Sequence, residues 1–307
     1  MPNYLHSGFV ALIGRTNAGK STFLNAVIGS KIAIVTHKPQ TKRNALRGIL
    51  STNEGQMVLV DTPGIHKPET SLDEEMNREA FHAMKEADVI FWIIDASKAI
   101  GKGDNFVKEQ ITSLKNPHPV FLLLNKMDLL NNEQKASILT QAQELMTFED
   151  IIFVSSLENT NIEEAINKAM VLLPEGPAWY PVEHTTDQTE QFIIAEYVRE
   201  KILLLTQEEV PYSCAVVVQN VESDDEQDDD EELNNDVYVR CVIVVERDSQ
   251  KGIIIGEKGA MISKIRHQAE RDCKRFLGKA IKLELFVKVI KDWRNRPEKL
   301  KSLGYNR

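Results

Sequence analysis

Residues 14–22, GRTNAGKST, contain residue types that bind phosphate. Eight of them fit the pattern GxxxxGK[ST], in which backbone N–H groups face the α- and β-phosphates, the lysine reaches the β- and γ-phosphates and the hydroxyl binds Mg²⁺. A plain glycine turn, the alternative, has no need of Lys20. We predict that the following residues bind the phosphates of a nucleotide: Gly14, Arg15, Thr16, Asn17, Ala18, Gly19, Lys20, Ser21 and Thr22.

The motif DTPG, residues 61–64, ends a second apolar run. At the end of a buried strand, Asp61 can hold Mg²⁺ through water, and the N–H of Gly64 can reach a γ-phosphate. DTPG alone is also a common acidic turn, so its interpretation depends on the phosphate loop. We add Thr62, Pro63 and Ile65 to the nucleotide-contacting residues, and Lys20, Asp61 and Gly64 to the catalytic ones.

The motif NKMD, residues 125–128, predicts which base is bound. The Asp128 carboxylate can accept from N1–H and from the exocyclic amino group of guanine, whereas adenine presents an acceptor at N1. Mispairing would leave buried polar groups unsatisfied, so guanine is selected. The predicted base contacts are Asn125, Lys126, Met127, Asp128, Ser155 and Ser156. Ser156 is a candidate N–H donor to the guanine oxygen; a helix-capping serine is the alternative.

These motifs need a scaffold that brings the ends of several strands together. Over residues 8–173 continuous apolar runs alternate with amphipathic segments, which predicts an α/β domain with a mostly parallel sheet and helices on both faces. Residues 174–184 are proline-rich and predict an extended linker. The pattern of residues 185–307 predicts the order helix, strand, strand, helix, helix, strand. This order indicates a smaller α+β domain.

Charge is unevenly distributed along the chain. Residues 251–307 contain 16 Lys and Arg but only six Asp and Glu, although the 307-residue chain has a net charge of −9. This basic region suits a polyanion. Ten of the fifteen residues 222–236 are acidic, which predicts a disordered or solvated loop. That loop is either a solubilising hairpin tip or an internal RNA mimic that covers the basic surface.

A GxxG turn lies in this basic region at residues 256–259. In KH domains such a turn clamps about four single-stranded nucleotides beside an apolar groove that accepts bases. The predicted RNA contacts are Ile253, Ile254 and Ile255 in the groove, Gly256, Glu257, Lys258 and Gly259 in the turn, and Lys264 and Arg266 on phosphates. Trp293 is a candidate stacking surface, with a packing role as the alternative. GxxG alone is also found in ordinary loops.

Composition argues against secretion and against a membrane span. No apolar run reaches ~20 residues, and the first residues, MPNYLHSG, lack the layout of a signal peptide. The three cysteines, Cys214, Cys241 and Cys273, are far apart, which predicts buried free thiols and no disulfide framework. We expect a cytoplasmic protein.

The four nucleotide motifs, in their order and spacing, resemble those of translation-factor-related GTPases. Nearly the whole chain resembles the Era family, including residues 177–213, residues 253–265 (IIIGEKGAMISKI) and residues 283–305. The resemblance implies a GTPase domain at 1–173, a linker at 174–184 and a KH domain at 185–307. It also implies GTP or GDP and Mg²⁺ as ligands and 30S assembly as the function. The implied partners are small-subunit (16S) rRNA near its 3′ end, the pre-30S particle and peripherally the inner face of the cell membrane, with the protein a monomer.

Two positions depart from common GTPase patterns. Era relatives usually read QTTR where this chain reads Gln40-Thr41-Lys42-Arg43. Thr41 then remains as the switch ligand that, with Ser21 and Asp61, would bind Mg²⁺, and Thr36 is the fallback. Ile65 stands where Ras-type enzymes place a water-orienting glutamine, which predicts slow intrinsic hydrolysis.

Asn17 and Thr41 complete the predicted catalytic residues. In related GTPases an asparagine at the position of Asn17 helps hold K⁺ beside the phosphates; the alternative is that Asn17 bonds its own loop. Two other functions are the alternatives. A metabolic P-loop kinase would leave NKMD unexplained. An RNA-binding adaptor whose site only senses GTP and GDP would not need the intact Lys20, Ser21 and Asp61.

Overall fold

The computed structural model describes residues 6–38, 41–223 and 237–305. The chain forms two units, Met1–Asp187 and Gln188–Arg307. Residues 224–236 of the acidic segment lie outside the described residues, as does Gln40 of the switch segment, so the predictions for them stay predictions. Within the described ranges, every helix is too short or too polar to cross a bilayer.

The first unit is built on a six-stranded sheet with the order β2-β3-β1-β4-β5-β6. Its strands are β1 His6–Ile13, β2 Leu46–Ser51, β3 Gly55–Asp61, β4 Val89–Asp95, β5 Val120–Asn125 and β6 Asp150–Phe153. Only the pairing of β2 with β3 is antiparallel. Every residue of β3 and β5 is buried, as expected for strands covered on both faces. The mostly parallel α/β prediction is confirmed.

The helices described in the first unit are α1 Lys20–Ile28, α2 Ser71–Glu86, α3 Lys102–Thr112, α4 Asn132–Gln143 and α5 Ile162–Met170. In the register of the sheet Leu12 pairs with Asp61, and Asp95 pairs with Asn125. The carboxyl ends of β1, β3 and β5 therefore meet at one edge, and the phosphate loop, DTPG and NKMD follow those ends. This is the edge at which open α/β sheets bind ligands.

The proline-rich stretch packs on the first unit, although the sequence predicted an extended linker at 174–184. The N–H of Ser7 donates to the Pro174 carbonyl at 2.8 Å. The Gln56 amide both donates to and accepts from the Tyr180 backbone, at 2.8 and 2.9 Å. Trp179 meets Phe9 edge to face, with 5.1 Å between ring centroids. These contacts place the boundary between the units after Asp187.

The second unit has three strands, β7 Ala215–Ser223, β8 Val237–Val245 and β9 Ile281–Val289, in that spatial order. Its helices are α6 Glu190–Leu205, α7 Val210–Ser213, α8 Asp248–Ile255, α9 Ala260–Leu277 and α10 Pro297–Ser302. β7 runs antiparallel to β8, and β8 runs parallel to β9. Apart from the short α7 and α10, this is the predicted element order. The three cysteines are free and buried, as predicted.

Candidate functional site

Backbone carbonyl groups of the phosphate loop hold the side chain of Lys20. Lys20 begins α1 and is buried, and its Nζ donates to the carbonyl oxygens of Gly14 and Arg15 at 2.8 and 2.9 Å. Gly19 has φ +101°, and a Cβ there would collide with the Asn125 amide, so glycine is needed for both reasons. Burial, with a smaller contribution from Lys42, lowers the pKa of Lys20 to about 8 although Asp61 acts in the opposite sense.

This pKa predicts that nucleotide binding takes up a proton at mildly alkaline pH. Free Lys20 is charged below about pH 8 and loses its charge above it, whereas a bound polyphosphate favours the charged form. At pH 8.5 GDP binding should therefore take up a substantial fraction of a proton by linkage. Calorimetry in buffers of different ionisation enthalpy measures this uptake. An enthalpy that does not depend on the buffer would contradict the prediction.

Asp61 and Ser21 form a site that suits Mg²⁺. The Asp61 carboxylate has no exposed surface, and its Oδ2 accepts a hydrogen bond from Ser21 Oγ at 2.7 Å. Within the described part of the chain its Oδ1 has no hydrogen-bond partner. A buried carboxylate oxygen without a partner next to a serine hydroxyl fits a hard cation. These two residues would hold the ion, and their assignment as metal ligands stays a prediction.

In the first switch segment a lysine, and not the expected threonine, contacts Asp61. Thr41 Oγ1 donates to the Lys38 carbonyl at 2.6 Å and accepts from Thr36 Oγ1 at 2.6 Å, so both hydroxyls bond within their own segment. Lys42, not Thr41, contacts Asp61, with its ammonium in an ion pair on Oδ2. The roles of Thr41 and Thr36 as metal ligands thus remain predictions. The direct contact with Asp61 is made by Lys42, which the sequence analysis considered only as the replacement of a threonine.

The second switch segment begins with residues fixed against the core. The Thr62 hydroxyl donates to the Leu12 carbonyl at 2.8 Å, and a Cβ on Gly64 would collide with Thr16. Ile65 is buried in the hydrophobic core of the first unit, where its side chain cannot orient water.

His66, which sequence reasoning missed, lies between two acceptors in the same segment. Its Nδ1 faces the Gly64 carbonyl at 2.8 Å and its Nε2 faces Asp73 Oδ1 at 3.2 Å. The hydrogen bond with Asp73 raises the pKa of His66 in spite of partial burial, and both contacts favour the imidazolium. Burial alone would raise the pKa of Asp73, but hydrogen bonds from His66 and Thr70 lower it to about 2.

Asn125 connects the base motif to the phosphate loop. Its Nδ2 donates to the Ala18 carbonyl at 2.9 Å, and its Oδ1 accepts from both the N–H and the hydroxyl of Ser156 at 3.0 Å. The N–H of Ser156, which was predicted to reach the guanine oxygen, is therefore engaged by Asn125, and its base contact stays a prediction. Ser155 Oγ donates to Asp128 Oδ1 at 2.6 Å and fixes the carboxylate that would read guanine.

The motifs enclose a cavity of about 510 Å³. Lys126 crosses its rim, donating to the Asn17 carbonyl at 3.1 Å and to Asp95 Oδ2 at 2.7 Å. Leu129 and Leu157 also line the cavity and are 62% and 74% exposed. Exposed leucines at the base end can cover a planar base. Sequence reasoning missed both because an apolar residue in a loop carries no distinctive pattern.

The GxxG turn of the second unit has the predicted geometry. Gly256 has φ +70°, and a Cβ there would collide with Met261, so a glycine is needed at this tight entry to α9. Lys258 and Gly259 are also left-handed, at φ +51° and +80°. The side chains of Glu257 and Lys258 in the turn, and of Lys264 and Arg266 in the first turns of α9, are exposed. The turn can therefore present N–H groups and cations to a phosphate backbone.

Two of the predicted RNA contacts are corrected by burial. Ile254 is fully buried in the domain core, because the three isoleucines lie at the end of helix α8 and the middle one faces inward. Ile253, 45% exposed, and the partly exposed Ile255 remain as groove residues. Trp293 is also fully buried; its Nε1 donates to the Ser213 carbonyl at 2.9 Å and its ring stacks on Tyr305. It packs the core and offers no stacking surface.

Comparison with known proteins agrees with both sites. Residues 9–126 match the family described as 50S ribosome-binding GTPase, and residues 209–294 match the KH domain. A variant of Aquifex aeolicus Era bound to GDP·AlF4⁻ is 33% identical, with a TM-score of 0.91 over 98% of this chain and 100% of that one. The chain belongs to the Era family.

A second Era structure extends this relationship. It is 32% identical, with a TM-score of 0.90 over 99% of this chain and 100% of that one, and is described in complex with MgGDPNP and nucleotides 1506–1542 of 16S ribosomal RNA. The chain is accordingly a GTPase with a C-terminal KH domain. The Era resemblance read from the sequence is confirmed.

Proposed function

We propose that this protein hydrolyses GTP slowly, binds 16S rRNA near its 3′ end and acts in the assembly of the 30S ribosomal subunit. The observation that carries the proposal is the Era structure that holds MgGDPNP and 16S nucleotides, since this chain matches its whole length. The closed phosphate loop and the GxxG turn in the same chain support both halves of the proposal.

The residues of the first unit have distinct roles in hydrolysis. Lys20 places a buried ammonium against the β- and γ-phosphates, and the N–H of Gly64 donates to the γ-phosphate as charge develops there. Ser21 and Asp61 would hold Mg²⁺, which when bound neutralises phosphate charge. No side chain at position 65 orients water, because Ile65 is packed in the core. This supports a slow intrinsic rate and acceleration by another group.

We assign K⁺ to that accelerating role, with Asn17 as its ligand. The Asn17 amide Nδ2 donates to the His37 carbonyl of the first switch segment at 2.7 Å, so the residue already links the two elements that flank the phosphates. This contact weakens the alternative that Asn17 bonds only its own loop. A cation held there would supply positive charge beside the phosphates.

The K⁺ assignment predicts faster GTP turnover in K⁺ than in Na⁺ at equal ionic strength. Asn17→Gly is the matched variant, because Asn17 has φ +63°, which glycine adopts without strain. It should remove the difference between the two salts. Phosphate release measures the rates. Identical rates of the unaltered protein in the two salts would refute the assignment.

The RNA-binding half is proposed to act on the pre-30S particle in the cytoplasm, with a peripheral contact at the inner face of the membrane and the protein as a monomer. GTP would order the switch segments and raise RNA affinity, and hydrolysis would release the subunit. Sedimentation with purified 30S precursors and 50S subunits tests the partner. Pelleting with 50S alone would contradict the proposal.

One observation favours a second candidate, an RNA-binding adaptor that senses GTP and GDP without relevant hydrolysis. Lys42 covers the carboxylate that the catalytic metal would need. Release of labelled phosphate from GTP and from ATP, with and without 16S RNA, separates the candidates. GTP-specific release that RNA stimulates supports the GTPase. Tight GTP binding with no release under either condition supports the adaptor.

A further inference from the structure

Lys42 is a buried cation in the wall of the nucleotide cavity. Its side chain is 7% exposed and its Nζ is ion-paired with Asp61 Oδ2. Lysine is rarely buried to this extent without a partner, because desolvation of an ammonium is costly. The contact is therefore a specific internal ion pair in a switch segment.

The ion pair lies where a divalent cation would have to act. Asp61 Oδ2 accepts a hydrogen bond from the Lys42 ammonium and another, at 2.7 Å, from the Ser21 hydroxyl. Ser21 and Asp61 are the two residues that would hold Mg²⁺. An ammonium and a hydrated divalent ion repel each other strongly at such short range. Asp61 Oδ1 remains open to a cation, but a divalent ion on this carboxylate would favour departure of the Lys42 ammonium from Oδ2.

The cavity already has the charge that a metal normally supplies. Lys20 and Lys42 both line it, together with Ser21 and the phosphate loop. Lys20 is held by two carbonyl oxygens, and Lys42 by the carboxylate. The two ammonium groups bring positive charge to the place where the phosphates of GDP would lie.

We propose that Lys42 is a built-in counter-ion that takes the place of Mg²⁺ at Asp61, so that this protein binds GDP nearly as well without the metal as with it. The inference rests on the proposed function. Without metal, Lys42 compensates the charge of Asp61 and keeps residues 41–43 against the cavity. When Mg²⁺ is bound, its charge repels the Lys42 ammonium from Asp61, and this displacement offsets part of the affinity that the metal adds.

The test is the ratio of the GDP dissociation constant in EDTA to that in Mg²⁺, measured by titration with a fluorescent GDP analogue. The unaltered protein should show a ratio below about threefold. Lys42→Thr, which restores the usual family residue, should raise the ratio by at least about tenfold, a change of 1.4 kcal/mol. Lys42→Arg keeps the cation and should resemble the unaltered protein. Lys67→Thr, which removes an exposed lysine after DTPG, is the charge-matched control.

A second readout uses the unaltered protein and does not depend on how a variant folds. Acetylation of Lys42 by a water-soluble reagent, quantified by mass spectrometry, should be slow with GDP in EDTA and at least several times faster with GDP and Mg²⁺. Equal ratios for the unaltered protein and Lys42→Thr, or equal acetylation under the two conditions, would overturn the proposal. A failure to bind GDP in either condition would instead refute the proposed function.

Discussion

Replacing Asp128 with asparagine is expected to change the preferred base from guanine to xanthine. The Asp128 carboxylate would accept from N1–H and the amino group of guanine, and Ser155 fixes its orientation from 2.6 Å. An asparagine in that position presents an NH₂ that would face the amino group of guanine, but that can donate to the carbonyl at the same carbon of xanthine. The variant should lose guanosine affinity by about a thousandfold or more.

Competition between labelled GDP and unlabelled xanthosine diphosphate measures this exchange. Glu158→Gln, which neutralises an exposed carboxylate in the neighbouring loop, is the control and should keep its preference for guanosine. Asp128→Asn with unchanged guanosine selectivity would show that another residue reads the base.

Opposite charge changes in the GxxG turn are expected to change RNA affinity in opposite directions. Lys258 and Glu257 are adjacent, exposed and at the entry to α9, where a phosphate backbone would pass. Lys258→Glu should weaken RNA binding by about tenfold at low salt and reduce the slope of affinity against salt by about one. Glu257→Lys should strengthen binding severalfold, because it removes the one negative charge of the turn.

Lys274→Glu makes the same charge change in the last turn of α9, about 21 Å along the helix from its first residue at 1.5 Å per residue. It should change RNA binding much less than Lys258→Glu. Filter binding at several salt concentrations measures all three variants. Equal losses for Lys258→Glu and Lys274→Glu would show that RNA senses only the overall charge and that the turn has no special role.

The sequence predicted the features that depend on local pattern. Buried strands of continuous apolar residues and motifs at strand ends were predicted from short stretches, and the structure has them. β2 was not predicted, because Leu46–Ser51 is an edge strand within what reads as a switch segment. The packed proline-rich stretch was missed since its contacts with Gln56 and Phe9 are distant in sequence.

The corrections within the two sites all concern side-chain orientations or contacts that only the folded chain determines. Whether Ile254 faces a groove or the core depends on the turn of α8, which places adjacent isoleucines in different environments. Trp293 is buried by Tyr305 and by the Ser213 carbonyl, neither of which a basic, aromatic sequence pattern reveals. The ion pair of Lys42 with Asp61 joins two segments through the fold, so sequence reasoning could register the missing threonine but not the new contact.

The most direct test of the central claim is a titration of labelled RNA with the sequence of the 16S 3′ end, nucleotides 1506–1542 of the Era complex, followed by fluorescence anisotropy. The protein should bind this RNA at least about tenfold more tightly than a shuffled RNA of equal length at moderate salt, where nonspecific binding is weak. The affinity of the protein for this RNA should also be at least about fivefold higher with GDPNP than with GDP, a typical coupling between two sites. Equal affinity for the two RNAs in both nucleotide states would contradict a GTPase that recognises the 3′ end of small-subunit rRNA.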